Sequence, residues 1–197
     1  MPHPTKSHPV GGEAGRVDLS RFDNADFERG ASSARELAWI AARSACFERG
    51  PLPLSGLRAR LLRSFGAAVG AEVVIRRGLR VTFPWKLRVG HHAWLGEDAW
   101  LMNLAPITLG ANVVISQRAF LCTGNHDWSD PAFGLITKPI VVGDGAWIGA
   151  SAFIAPGVTV GTHAVVAAGS VVTQDLEPYS VYAGNPCIKV AERRIRG

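Results

Sequence analysis

The stretch from Val142 to Val172 repeats itself every six residues: VGDGAW, IGASAF, IAPGVT, VGTHAV, VAAGSV, then Val172. An aliphatic residue opens each six, at Val142, Ile148, Ile154, Val160, Val166 and Val172. Gly or Ala follows it, as at Gly143, Gly149, Ala155, Gly161 and Ala167, and the fifth place stays small, at Ala146, Ala152, Val158, Ala164 and Ser170. A period of six matches neither the 3.6-residue face of a helix nor the strict alternation of a hairpin strand.

Short self-similarity of this kind marks a stacked repeat, and hexapeptide repeats build parallel β-helices. Each six supplies a short strand and a corner, with the aliphatic residue inside the coil and the small fifth residue making room for it. The glycine in second place is expected to let the backbone bend at the corner without a Cβ clash. The frame reaches further back. Val69, Ile75 and Val81 fall in step; after Phe83-Pro84-Trp85 the register slips by two, and Val89, Leu95 and Leu101 resume it. It slips by two again at Pro106, and Leu109, Ile115 and Leu121 follow, with Ala93, Ala99, Val113 and Ala119 in fifth place. The fold class expected is therefore all-β, a coil of about five or six turns over residues 69–181. Leu121 and Val142 lie 21 positions apart, three sixes plus three, and the segment between them is polar and turn-forming. A loop over residues 122–141 must leave the coil there, and loops on rigid scaffolds are where chemistry concentrates.

The flanks read differently. Residues 1–16, rich in Pro, Gly and His, have the composition of a disordered segment. Residues 17–68 read as helical: Ser33-Ala34-Arg35-Glu36 is a capping box opening a helix with Leu37, Trp39, Ile40 and Phe47 that stops near Gly50-Pro51. A second helix is expected from Ser55 to Phe65, with Leu57, Leu61, Leu62 and Phe65 sharing one face and Arg58 and Arg63 elsewhere. Residues 182–197 read as a basic C-terminal helix or tail. The formal charge of +5 calls for an anionic partner, which a phosphate-bearing cofactor, a lipid surface or nucleic acid would each satisfy. From Arg58 to Arg88 eight basic residues stand against Glu72 alone, either a solvated face or a surface for anionic lipid. Cys46, Cys122 and Cys187 form no paired spacing, which suits a reducing compartment; no secretory leader or membrane-spanning run is visible, and a cytoplasmic protein is expected.

Within the frame-breaking loop, GNHDWSDP places His126 next to Asp127. An imidazole there could take a proton from a hydroxyl, and Asp127 could hold the ring or bind substrate, although a surface histidine is an equally good reading. Asn103 interrupts an apolar coil segment, where it could bind a sugar hydroxyl or satisfy turn backbone; Asn125 stands beside His126 as another acceptor contact. Trp94, Trp100, Phe120, Trp147 and Phe153 all occupy sixth place, which alternation turns outward, and columns of outward aromatics point to a protein partner.

WIGASAFIAPGVTVGTHAVVAAGSVVTQDL, followed by YAGNPC at 182–187, resembles the hexapeptide-repeat acyltransferases, above all the galactoside, maltose and nodulation-type O-acetyltransferases. FPWKLRVG, WLGEDAWLMNLAPITLG and LCTGNHDWSDPAFGLITKPI are similar to the acetyltransferases of colanic acid and related exopolysaccharide biosynthesis. The resemblance implies a left-handed parallel β-helix, a homotrimer, acetyl-CoA lying between neighbouring coils, and a sugar or lipid-linked oligosaccharide as acceptor. Nucleic acid is not expected as a partner, and peripheral contact with the inner membrane face is. His126 stands in the place of the family's catalytic base, with direct transfer and no acyl-enzyme, so Cys122 has no required role. Trp147, Gly149, Ala150, Ala168, Gly169 and Thr173 fall where the family contacts acetyl-CoA. Gln174 and Ile188 stand where relatives often carry Lys and Arg, so Lys189, Arg193 and Arg194 are the nearest cations for the phosphates.

Two rival classes share such a coil. A carbonic anhydrase of γ type binds zinc through three histidines, but His91, His92, His126 and His163 show no ligand spacing, so no metal is expected. A non-catalytic scaffold would need neither the loop nor the groove.

Overall fold

The computed structural model describes residues 15–48 and 54–196. The N-terminal residues 1–14, expected to be disordered, lie outside them. Two compact units are distinguished: the N-terminal segment up to Phe27 with His126–Leu135, and Glu28–Asn125 with the chain from Ile136 onward.

The larger unit is a parallel β-helix with three walls. The first wall stacks Ala68–Val69, Leu87–Val89, Ile107–Leu109, Ile140–Val142 and Thr159–Val160. The second stacks Val74–Ile75, Trp94–Leu95, Val114–Ile115, Trp147–Ile148, Val165–Val166 and Ser180–Ala183. The third stacks Arg80–Val81, Trp100–Met102, Phe120–Cys122, Phe153–Ile154 and Val171–Val172. Every pairing between coils is parallel, and the aliphatic positions sit in register: Val69 with Val89, Val89 with Leu109, Leu109 with Val142, Val142 with Val160. These side chains form ladders up the interior and, apart from the half-buried Val69 at the end, are almost fully buried with the small fifth-place residues. Burial of each large aliphatic side chain contributes about 1.5–3 kcal/mol, and the ladder repeats that gain coil after coil.

The second-place glycines avoid a Cβ clash, as the sequence suggests, but the bend itself lies elsewhere. The left-handed conformation falls on the fourth place, not the second. It is taken by Gly78, Gly145, Gly157 and Gly169, and equally by Glu72, His92, Asp98, Asn112, Arg118, Ser151 and His163. The second-place glycines are needed for spacing. A Cβ on Gly149 would stand 2.5 Å from the Ala168 nitrogen, and one on Gly161 2.4 Å from the Pro178 nitrogen. Coils approach so closely there that no side chain fits.

Two helices close the start of the coil. Helix α1 spans Ser33–Arg43 and continues as a π-turn over Ser44–Glu48; α2 spans Ser55–Ser64. The cap of α1 is Ser32, one residue before the expected Ser33: its Oγ accepts from the Arg35 N–H at 3.4 Å, and Glu36 pairs with Arg29 instead of reaching back to the cap. Trp39, Phe47 and Leu62 are buried among the first-coil aliphatics, and the Trp39 indole N–H donates to the Val81 carbonyl at 3.0 Å. Leu37, Ile40 and Leu57, expected on the buried faces, are exposed, whereas Arg58 is buried. The remaining arginines do not form the single basic face the sequence suggested. Arg60 and Arg63 lie on α2, Arg88 on the first wall, Arg76 and Arg77 after the second, and Arg80 on the third. Arg63 folds back on the Val69 and Gly70 carbonyls.

The C-terminal end also departs from the expected helix or tail. Ser180–Ala183 adds a sixth strand to the second wall, and Ile188–Glu192 returns antiparallel beside it. Among the described residues no helix is long and apolar enough to cross a membrane.

Candidate active site

All irregular steps of the coil fall at one corner, the one that follows the third wall. From Val81 to Val89 and from Leu101 to Leu109 the corner takes eight residues instead of six. From Leu121 to Val142 it takes 21, so the loop is a single corner enlarged by fifteen residues, and not three further repeats with three extra.

Aliphatic ladders cannot satisfy the backbone of such widened corners, and two buried polar side chains do it instead. Asn103 is fully buried. Its Oδ1 accepts from the N–H groups of Thr82 and Phe83 at 3.0 and 2.9 Å, and its Nδ2 donates to the Phe83 carbonyl at 2.6 Å. With its amide engaged in this way, Asn103 supports turn backbone and is not available to a sugar hydroxyl. One coil on, Thr123 is also fully buried. Its hydroxyl donates to the Met102 carbonyl at 2.8 Å and accepts from the Ala105 N–H at 3.0 Å, while its carbonyl accepts from the Lys138 N–H at 2.9 Å. Thr123 thus fixes the outgoing and returning ends of the loop to the coil beneath. Nothing in the six-residue period marks it, because it stands where the period has lapsed.

The loop leaves through Gly124–His126 and returns through Leu135–Thr137, which form a two-stranded ribbon. At its near end His126 is half-buried. Its Nδ1 lies 2.8 Å from the Phe133 carbonyl oxygen, and its ring stacks on that of Phe133 with centroids 4.4 Å apart and planes 12° from parallel. A carbonyl can only accept, so Nδ1 carries the hydrogen in this contact and Nε2 of the neutral ring carries the lone pair. That is the arrangement a proton acceptor needs: one nitrogen oriented by backbone, the other basic. Asp127 does not hold the ring. Its Oδ1 accepts from the Ser129 hydroxyl at 2.5 Å and the Ser129 N–H at 2.9 Å, and these two donors hold its carboxyl below the usual carboxylate range. Asn125 is exposed, and Trp128 is 82% exposed.

Sequence reasoning missed the N-terminal segment. Asp18 donates its N–H to the Pro131 carbonyl at 2.8 Å, and the Phe22 ring lies 5.8 Å from that of His126, tilted by 56°. Residues read only as the start of a helical region therefore pack against the loop that carries His126. The short sequence DLSRF offers no periodicity that would have disclosed this.

The residues expected along an acetyl-CoA groove divide. Trp147 is 47% exposed on the second wall and donates its indole N–H to the Ser116 hydroxyl at 2.9 Å. Ala150 and Ala168 occupy the same corner in successive coils, where the Gly169 N–H donates to the Ala150 carbonyl at 2.8 Å. A Cβ on Gly169 would meet nothing within 4 Å. Gly149 belongs to this corner through backbone alone. Thr173 is exposed one wall further round. The cations fit less well. Lys189 is paired with Glu177 and Glu192, each at 2.7 Å, and these raise its pKa well above the ordinary lysine value. Arg193 donates to the Gly145 and His163 carbonyls at 2.8 and 3.1 Å, clamping the C-terminal strand to the coil. Of the three, Arg194 is exposed and keeps its charge uncommitted among the described residues. No group of three or more His, Cys, Asp or Glu among the described residues could hold a metal ion.

Residues 139–174 match the family described as "Bacterial transferase hexapeptide (six repeats)". The chain is 43% identical over 176 residues to a protein of Escherichia coli K12 named "Putative colanic acid biosynthesis acetyltransferase WcaF", covering 89% of this chain and 97% of that one. It is 29% identical to the galactoside O-acetyltransferase of the same organism over 68% of each chain. Among solved structures, a hexapeptide-repeat acetyltransferase of Vibrio cholerae O1 biovar eltor complexed with acetyl coenzyme A superposes with a TM-score of 0.75 at 28% identity, covering 84% of this chain and 92% of that one. A maltose O-acetyltransferase from Clostridium difficile 630 gives a TM-score of 0.75 at 26% identity, over 82% and 88% of the two chains. Coil, widened corner and sequence agree, and the chain belongs to the hexapeptide-repeat acetyltransferases.

Proposed function

We propose that this protein transfers an acetyl group from acetyl-CoA to a sugar hydroxyl of an exopolysaccharide precursor of the colanic-acid kind. The observation that carries the proposal is the contact between His126 Nδ1 and the Phe133 carbonyl, which leaves the lone pair on Nε2. In this reading Nε2 removes the proton of the acceptor hydroxyl as its oxygen attacks the thioester carbonyl. Collapse of the tetrahedral species breaks the C–S bond, and His126 returns the proton to the departing thiolate. Asn125 and the second carboxylate oxygen of Asp127 are assigned to acceptor hydroxyls. The thioester arm runs past Trp147 and the small corner of Ala150, Ala168 and Gly169, with Gly149 and Thr173 alongside. Arg194 is the cation best suited to its phosphates; Lys189 would first have to leave its two glutamates, and Arg193 its carbonyls.

The solved acetyl-CoA complex of the Vibrio relative and the name of the Escherichia coli relative support donor and pathway class. The same reading includes a homotrimer, whose packing would use the outward Trp94, Trp100, Phe120 and Phe153, a cytoplasmic setting, and peripheral contact with anionic membrane through the exposed arginines. Product analysis after incubation with acetyl-CoA and a panel of sugar acceptors tests the activity. The variant His126→Ala is expected to lose about 10²–10⁴ in turnover with an unchanged circular dichroism spectrum; near-normal turnover removes His126 as the base.

A further inference from the structure

The larger unit contains a buried cation that nothing in the acetyl-transfer reading uses. Arg58, on α2, is 2% exposed. Its Nε donates to the Cys46 carbonyl at 3.1 Å and its Nη1 to the Ile75 carbonyl at 3.2 Å, while Nη2 has no partner among the described residues. Among the described residues no carboxylate answers the charge. Burial, reinforced by the neighbouring Arg77 charge, pushes the guanidinium below its ordinary pKa. A buried charge without a counter-charge is strongly destabilising, and each such group in a native protein calls for an explanation.

Arg58 forms part of the wall of a cavity of about 430 Å³ that is also lined by Ser55, Arg76, Arg77, Glu97 and the Val74–Ile75 strand. Three arginines therefore line one space. The only acid among the described residues of its lining, Glu97, lies 3.7 Å from Arg77, with both side chains more than half exposed, so the pair is weak. The cavity also meets the start of α2. That helix has ten residues, no acidic residue in its first turn and no side-chain cap on Leu54. Ser55 cannot supply one, because its hydroxyl donates to the Val73 carbonyl and accepts from the Ile75 N–H. Uncapped first-turn N–H groups and the positive end of the helix favour an anion at this point.

We propose that this cavity is a binding site for a phosphate ester, and for a diphosphate in preference to a single phosphate. Three arginines against one rim carboxylate call for more than one negative charge, and the volume exceeds what one phosphate fills. The chemistry fits a soluble nucleotide-like diphosphate or a lipid-borne one. The site is built from α2 and the first two coils, and it stands whether or not His126 is the catalytic base.

The experiment is calorimetric titration of the full chain with inorganic pyrophosphate at fixed ionic strength, with sodium chloride as the blank. Saturable binding of one pyrophosphate per chain is expected. Arg76→Ala/Arg77→Ala, at exposed positions that leave the core intact, should weaken it at least tenfold, and Arg58→Met should abolish it; His126→Ala should bind as the wild type does. If Arg58→Met does not fold, the double variant decides. A second arm uses phosphatidylcholine vesicles with and without phosphatidic acid. Vesicle binding displaced by pyrophosphate assigns the phosphate to lipid, and pyrophosphate binding without vesicle binding assigns it to a soluble ester. No saturable heat at millimolar pyrophosphate, or equal affinity in wild type and double variant, overturns the proposal.

Discussion

The coil has a regular half and an irregular corner, and they are stabilised in different ways. Between Val142 and Val172 each corner takes six residues, the interior is an unbroken aliphatic ladder, and second-place glycines leave no room for side chains between coils. At the corner after the third wall, coils one to three take eight, eight and 21 residues, and the buried polar groups Asn103 and Thr123 stand where the regular half has only backbone turns. Close packing tolerates no variation, so the regular half supplies rigidity. The widened corner supplies chemistry, because hydrogen bonds can hold a long loop that an aliphatic ladder cannot. The largest effect expected from a single change lies in the regular half. Ile154→Ala empties a fully buried position in the third-wall ladder and should destabilise by about 2–5 kcal/mol, read as a large fall in urea midpoint with an unchanged slope. A fall below about 1 kcal/mol would mean that the ladder repacks and that its regularity is not what holds the coil.

The corner should respond with a smaller loss of stability but a larger loss of activity. Thr123→Val keeps the shape and removes the hydroxyl, leaving the buried Ala105 N–H and one lone pair of the Met102 carbonyl without partners. The cost expected is about 1–3 kcal/mol, and turnover should drop further than that destabilisation explains, because both ends of the loop are rooted there. Thr123→Ser, which keeps the hydroxyl, should restore turnover. Equal turnover in all three proteins would show that the loop root is indifferent to this hydrogen bond. Phe22→Ala comes next. Since Phe22 lies beside the His126 ring and is 37% exposed, its loss should leave the urea midpoint within about 0.5 kcal/mol and lower turnover about tenfold through misplacement of the imidazole. A rate within twofold of wild type would reduce the N-terminal segment to packing.

The contrast between the two regions also explains what could be read from the amino acids. The ladders and the fifth-place alanines were legible because a side chain inside a narrow coil must repeat with its period. The role of the second-place glycines was legible as a requirement but not as a mechanism: one sequence carries no sign of whether a glycine serves an unusual φ or a close approach, and here the left-handed place falls two residues later on residues as large as Arg118. His126 stood out because the loop interrupts a strong pattern. Its partners did not, since Phe133 orients the ring through a backbone carbonyl, which any residue type could supply, and the stacked Phe133 ring lies seven residues away in a stretch without periodicity. Asn103 was conspicuous and misread: an isolated amide in an apolar strand serves turn backbone as well as it serves a ligand. Arg58 was hidden by helical periodicity, which placed it with the solvated arginines because charge, unlike a methyl group, gives no measure of depth.

The smallest effect, and the finest test of the corner, concerns Asp127. Its carboxyl is held below the usual range first by the Ser129 hydroxyl and then by the Ser129 N–H. A depressed folded-state pKa means that the stabilisation is present above the ordinary aspartate value, about 3.9, and fades as pH falls through the lowered one. From pH 5 to 8 the turn is therefore constantly charged and contributes no pH dependence to the loop. Asp127→Asn keeps an acceptor for Ser129 but makes the bond neutral, about half as strong, so exchange of the Ser129 amide with solvent should quicken by a few-fold, equally across that range. If exchange instead diverges between wild type and variant somewhere from pH 5 to 8, a second titrating group shares the turn and Asp127 does not hold it alone. The exchange rates measure the turn, and turnover measures the acceptor. Loss of turnover in Asp127→Asn beyond the few-fold change in loop opening would then assign the second carboxylate oxygen to the sugar, whereas matching losses would confine Asp127 to shaping the loop.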